Sequence, residues 1–293
     1  MLAEQIAYVA LVSSDCEAAA AVLGRQFGLA RQALPSAQGA VPVFALGRSA
    51  LALFPPGHPA VEGETRPGVH HLALAVDRVE ASERGLAGRR IQRLARDSTA
   101  GVRLVLTEKL ELAAPAAGRL ERIDHIGVAS TDVLEDEAVF CGKLGFQVES
   151  RQTDMEVSLA VESFTSDKYG VVYHTRPPEP VGGLRVTFIT VGDCELEFLA
   201  NFDPRQGGEV ERGRPGTTRQ DQGAIARFIA SRGRGLHHVA VKAHDIDGVL
   251  RSMAQAGLPM IDTQGRPGSR RALIGFPHPR ALGGVLLHLV QRA

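Results

Sequence analysis

The chain is predicted to be an α+β protein of four βαβββ modules in two tandem domains, and three observations lead there. Residues 122–133, RIDHIGVASTDV, and 235–246, GLHHVAVKAHDI, align on His125 and His238. Each reads as an apolar strand of alternating pattern, a polar turn ending in Asp132 or Asp245, and then apolar positions at helical spacing. Two further copies, QIAYVALVSSD at 5–15 and GVHHLALAVDRVE at 68–80, repeat the strand and turn. Later strands repeat as well: QFGLARQA at 26–33 matches KLGFQVES at 143–150, and ALGRSALALFPP at 45–56 matches TVGDCELEFLAN at 190–201.

The first two modules predict an N-terminal domain over 1–115, and the last two a C-terminal domain over 120–293. The Ala-rich segment ELAAPAAGRL at 111–120 reads as the link. At 293 residues there is ample chain for two cores. Lys plus Arg (33) equals Asp plus Glu (33), so the chain lacks the basic field that a nucleic-acid backbone selects. No apolar run reaches membrane-spanning length, and MLAEQIAYVALVSSD lacks the basic start of a secretory leader. Cys16, Cys141 and Cys194 are too few and scattered for a disulfide framework. A reducing cytoplasm, with neither nucleic acid nor membrane as partner, is the expectation.

Strand alternation selects the residues that can carry chemistry. In the third module His125, Gly127 and Ala129 share one face. In the fourth, His238, Ala240 and Lys242 share the corresponding face, which makes His238 rather than His237 the ligand candidate. Glu197 sits inside the apolar strand CELEFLAN, and His288 is the only polar residue between Val285 and Val290. Three His and one Glu from four strands form a donor set suited to a borderline divalent ion, Fe, Co, Ni, Mn or Zn, with room left for substrate. Glu197 and His288 are also the expected catalytic residues, His288 as a base if it does not ligate. The N-terminal half offers an internal comparison, with Tyr8, Ala52, His71 and Val105 at the four equivalent positions. Only one ligand survives there, so a single site in the C-terminal half is predicted.

An insertion over 151–182 carries Tyr169, Tyr173 and His174, which are read as a lid or substrate-stacking wall, with an extra hairpin packed between the halves as the alternative. Arg271, in the Arg-rich stretch around Arg266, Arg270 and Arg280, is the candidate for an anionic substrate such as a carboxylate or acyl-CoA, with solvated surface charge as the alternative, and the segment 203–234 adds a second local excess of Arg.

These residues resemble the vicinal oxygen chelate superfamily, which includes glyoxalase I, methylmalonyl-CoA epimerase and the extradiol and hydroxyphenylpyruvate dioxygenases. The likeness rests on IDHIGVA at 123–129, GLRVTFITVGDCELEFL at 183–199, IARFIASRGRGLHHVAV at 225–241 and FPHPRALGGVLLHLV at 276–290, and is strongest to the epimerase. The resemblance implies that each domain is a curved mixed sheet enclosing a cavity. It implies ligation by His125, Glu197, His238 and the residue at His288, where the family carries Glu. Four modules in one chain are similar to the dioxygenase branch, whereas epimerase-like relatives pair two-module chains, so a monomer or a homodimer is compatible.

The resemblance implies a metal-dependent isomerase, epimerase or lyase that stabilises an enolate of a small oxo, carboxylate or acyl-CoA substrate. An Fe(II)-dependent ring-cleaving or oxo-acid dioxygenase is the second reading, and a ligand-sequestering resistance protein the third.

Overall fold

A computed structural model describes residues 1–113, 118–158, 161–175, 177, 179–202 and 223–292. The first stretch forms β1 (Gln5–Val12), α1 (Cys16–Arg25), β2 (Arg31–Ser36), β3 (Gly39–Leu46), β4 (Ser49–Phe54), β5 (Gly68–Val76), β6 (Ile91–Arg93) and β7 (Leu104–Glu108). The remainder forms β8 (Leu120–Ser130), α2 (Val133–Glu137), β9 (Gln147–Ser158), β10 (Val161–Ser166), β11 (Gly170–Thr175), β12 (Glu179–Val191), β13 (Cys194–Phe202), α3 (Ala224–Arg232), β14 (Gly235–Ala243), α4 (Ile246–Gln255), β15 (Arg266–Pro267), β16 (Leu273–Gly275) and β17 (Leu287–Gln291).

Two curved mixed sheets result. One has the strand order β2-β3-β4-β1-β5-β7-β6, and the other β15-β16-β17-β14-β8-β13-β12-β9. In each, the first strands of two successive modules pair antiparallel at the centre, β1 with β5 and β8 with β14. Flanking strands join them in parallel, β4 on β1 and β7 on β5, then β13 on β8 and β17 on β14.

The Asp that ends the repeated turn caps the following helix, as a side-chain acceptor at a helix start should. Asp15, Asp132 and Asp245 accept from the N–H groups of Ala18, Leu134 and Gly248, each at 2.9 Å. In α4 the spacing of Ile246, Val249, Leu250 and Met253 buries one face against the second sheet. The second module departs from the pattern. After β5 the chain crosses 77–90 with no α-helix, and in that polar stretch only Val79 and Leu86 are buried hydrophobics, too few for a helical stripe.

One apolar cluster runs along the helix side of both sheets, from Ile6, Val9 and Leu11 to Val239, Val241 and Leu289. The halves are also hydrogen-bonded, through Leu2 N–H to the Leu144 carbonyl at 2.8 Å and Ser14 N–H to the Gly283 carbonyl at 2.9 Å. The inserted segment extends β9 and β12 and adds a two-stranded hairpin, β10 with β11. Part of the linking segment 111–120, residues 114–117, and most of the Arg-rich segment 203–234, residues 203–222, lie outside the described residues.

Candidate metal centre

Two β-bulges set the geometry of the site. Pairing of β8 with β14 skips a residue between Leu236 and His238, and another between Ile123 and His125, so His237 and Asp124 are left without cross-strand partners. Such an extra residue re-aims its side chain. Pure alternation sends His237 to the helix layer. The bulge instead brings it to the cavity, with Nδ1 2.9 Å from His238 Nδ1 and its ring edge-on to Phe228. Asp124 likewise turns back onto its neighbour, its Oδ2 2.9 Å from His125 Nδ1, and its carboxylate also accepts two hydrogen bonds from Arg292.

On this frame His125, His238 and His288 come together from β8, β14 and β17, all buried, with one nitrogen of each within 4.8 Å of the others. Glu197, on β13, completes the set, with Oε2 3.3 Å from His125 Nε2 and 3.5 Å from His238 Nε2. Gly127 lies opposite both Glu197 and His238 in the strand registers. A Cβ there would fall 2.0 Å from His238 Cε1, so the glycine makes room for the ring.

The polar atoms test whether an ion fits. Both nitrogens of His288 and Nε2 of His238 are buried with no hydrogen-bond partner among the described residues, an arrangement that costs free energy unless something else satisfies it. Three inward-facing imidazoles and one carboxylate are a donor set that a divalent ion satisfies. Burial holds His288 well below its ordinary pKa, and the neighbouring His238 and His125 add to the effect. Burial also lowers His238. Both therefore present neutral imidazole, the ligating form. His125 is the exception. Burial would lower it, but the Glu197 and Asp124 carboxylates outweigh that and raise it to about 9.

The cluster opens into a cavity of about 400 Å³. Its walls are mostly apolar, including Leu184, Phe188, Leu199, Ile225, Ile274 and Phe276. Besides Glu197, Asp154, Arg266 and Arg292 bring charged groups to its lining. Arg266 and Arg292 are ion-paired with Asp262 and Asp124, which moderates their pull on an anion. Burial raises the Asp154 carboxyl, and the Glu197 charge adds to the rise.

The four ligand candidates thus come together, whereas the substrate candidates do not. Tyr169, Tyr173 and His174 sit exposed on the hairpin and do not line the cavity. Arg271 is exposed beside it. Its neighbour Arg270 turns inward, its guanidinium 3.8 Å from the centre of the Phe188 ring and ion-paired with Glu149 and Glu195. Arg266, named with the Arg-rich stretch, does line the cavity, whereas Asp154 and Arg292 were not singled out for the site by sequence. The signal for Asp154 was an acid in a strand, as for Glu197, but RQTDME lacks the apolar flanks that make such an acid conspicuous.

The N-terminal sheet repeats the frame without the ligands. Its central pair bulges at Ala7 and His70, as the other bulges at Asp124 and His237. In register, Tyr8 occupies the place of His125, Ala10 of Gly127, Ala52 of Glu197, His71 of His238 and Val105 of His288.

The chain is similar to several known proteins. The mitochondrial methylmalonyl-CoA epimerase of Homo sapiens is 22% identical over 186 residues, covering 63% of this chain and 82% of that protein. A mutant 4-hydroxymandelate synthase from Streptomyces coelicolor matches along the whole chain, with a TM-score of 0.62 at 16% identity and 93% of its own length covered. Methylmalonyl-CoA epimerase from Mycobacterium tuberculosis, at 21% identity and a TM-score of 0.40, covers 62% of this chain and 93% of its own. These relatives are enzymes. Among the described residues, no helix is long and apolar enough to cross a membrane. The profile of the Glyoxalase/Bleomycin resistance protein/Dioxygenase superfamily matches residues 124–276, more than half of the sequence and the stretch that carries three of the four ligand candidates, and the chain belongs to that superfamily.

Proposed function

We propose that the protein is a divalent-metal-dependent isomerase, epimerase or lyase that moves a proton next to a carbonyl of a small oxo-acid or acyl substrate. The observation that carries this reading is the convergence of His125, His238 and His288 beside Glu197, with His238 Nε2 and both His288 nitrogens lacking a hydrogen-bond partner among the described residues, in an apolar cavity also lined by a second carboxyl group, Asp154. His125, Glu197, His238 and His288 would hold the ion. An ion bound there supplies Lewis-acid withdrawal of charge from a substrate carbonyl.

Asp154 is the group placed to take up and return the proton, because its raised pKa brings it closer to that of an effective general base. Glu197 is a weaker base. Burial would raise it, but His125 and then His238 hold its carboxyl well below the usual range. The apolar walls exclude water, which strengthens each charge interaction inside. One carboxylate among four ligands leaves a divalent site with net positive charge, favouring an anionic substrate over a neutral one.

The whole-chain likeness to a 4-hydroxymandelate synthase keeps a second reading, an Fe(II)-dependent dioxygenase. Metal analysis followed by two assays separates them. Substrate-dependent exchange of carbon-bound hydrogen with deuterated solvent, without oxygen consumption, is expected. Oxygen uptake that requires ferrous iron would sink the isomerase reading.

A further inference from the structure

A second polar cleft lies between the two halves, beside the starts of β5 and β14 and apart from the metal cavity. Five guanidinium groups line it, those of Arg66, Arg96, Arg103, Arg232 and Arg234, against one carboxylate, Glu64. Glu64 is engaged by Arg66 and, more loosely, by Arg103 at 3.7 Å. Arg234 is tied to Glu135 and Asp136. Arg96 and Arg232 bond only to backbone carbonyls among the described residues, those of Gly101 and Arg234 for the first and of Pro67 for the second. Arg232 also lies over the Phe228 ring, 5.7 Å from its centre, but among the described residues no carboxylate pairs with Arg96 or Arg232, so the cleft holds an excess of cationic charge.

His70 adds an observation of a different kind. The residue is 3% exposed and lines the cleft, and its Nε2 has no hydrogen-bond partner among the described residues. The state of that nitrogen follows from a chain of contacts. Tyr8 Oη lies 3.4 Å from His71 Nε2, and His71 Nδ1 lies 2.8 Å from His70 Nδ1. The buried Tyr8 phenol has one proton to donate, and burial, its largest influence, raises its pKa and keeps that proton in place. If the hydroxyl donates to His71 Nε2, then His71 Nδ1–H donates to His70 Nδ1, and the His70 proton must sit on Nε2. The opposite direction would leave the Tyr8 hydroxyl hydrogen without an acceptor. A buried N–H thus points into a space whose other polar side chains, Glu64 apart, are all guanidinium donors.

We propose that this cleft binds a tetrahedral oxyanion, either inorganic phosphate or the terminal phosphate of a phosphorylated small molecule. A cavity of about 70 Å³ admits one such group and not a whole nucleotide. Arg103, Arg234 and His70 meet the anion inside, while Arg66, Arg96 and Arg232 are exposed at the mouth, where an organic remainder would emerge. Gly68 and Gly101 keep the walls close: a Cβ on Gly68 would come within 3.1 Å of the Arg232 guanidinium, and one on Gly101 within 3.2 Å of Arg234 Cβ.

Titration calorimetry of the full chain with sodium phosphate at low ionic strength tests the site. Saturable binding that weakens with added chloride is expected, because such contacts are screened by salt. Arg232→Gln should weaken it about tenfold through loss of a charge-assisted contact, with metal content unchanged. Arg66→Gln, also at the exposed mouth, should act in the same direction and provides a second variant. Glycerol phosphate binding as tightly as phosphate would assign the site to phosphate monoesters, and phosphate alone to the free ion. No saturable heat with phosphate, equal binding by both variants and the parent, or acetate binding as tightly as phosphate would each overturn the proposal.

Discussion

Asp124 and His125 are consecutive in β8, yet their side chains meet at 2.9 Å, because the bulge at Asp124 turns both to one side of the strand. Burial opposes the charge on Asp124, but His125 and Arg292 hold its carboxyl well below the usual range. It therefore fixes which His125 nitrogen carries a proton and leaves Nε2 for the site. Asp124→Asn weakens that orientation, because the amide loses the charge and keeps one acceptor oxygen for both His125 and Arg292. Metal affinity should fall by about ten- to a hundredfold, as for other outer-shell partners of metal-binding His, read by competition with a chromophoric chelator.

Gly127→Ala places a methyl group where the His238 ring now sits. The ring is rigid, and its Nδ1 is held by His237, so it must rotate out of the cluster as a whole. A loss of metal affinity of about tenfold or more is expected, with helix and sheet content preserved in circular dichroism. Normal metal content in the variant would show that His238 is not a ligand.

His288→Met separates the cost of the site from its use. In chelator-treated protein the substitution removes two buried, partnerless nitrogens, and stability should rise by about 1–3 kcal/mol in denaturant titration. In metal-loaded protein the order should reverse, because the variant loses a ligand and with it the stabilisation that binding contributes. A variant less stable than the parent in both states would contradict the assignment.

The raised pKa of His125 predicts a proton signature. In metal-free protein its folded value, about 9, lies above the ordinary value of 6.5. Its contribution to stability is thus fully present below pH 6.5 and is lost as pH rises through 9. At pH 7.5 an incoming ion must displace that proton, so calorimetry in buffers of differing ionisation enthalpy should show about one proton released per ion, falling toward none above pH 9. Release of no proton at pH 7.5 would place His125 outside the ligand set.

The repeats, the strand partners and the four ligand candidates were legible because each leaves a one-dimensional trace. A His or Glu inside an alternating apolar strand stands out, and module-to-module alignment gives it a position in space. The bulges leave no such trace. A strand with one extra residue reads like one without, so alternation placed His237 on the wrong face and gave no hint that Asp124 reaches His125. The hairpin failed for another reason. Tyr169 and Tyr173 are aromatic enough to suggest a binding wall, but the long arms of β9 and β12 carry the hairpin to where both are exposed, and arm length and direction are properties of the folded sheet. Nor did composition show that 77–90 would forgo its helix, since the module repeat argued for one there.

The shared bulges make the N-terminal sheet a blank of the same casting. With Tyr8, Ala10, Ala52 and Val105 at the ligand and glycine positions, its equivalent face is filled by an apolar cluster in which Tyr8, Ala10 and Ala52 pack with Phe54 and Val61. A coordination cage is a poor core, because it holds polar groups together and must leave a void for its guest. A duplicated chain can divide that conflict between its copies, one half filled solid and contributing cohesion, the other hollow and contributing chemistry. On this view the loss of ligands from the first half is what allows the second to keep about 400 Å³ open.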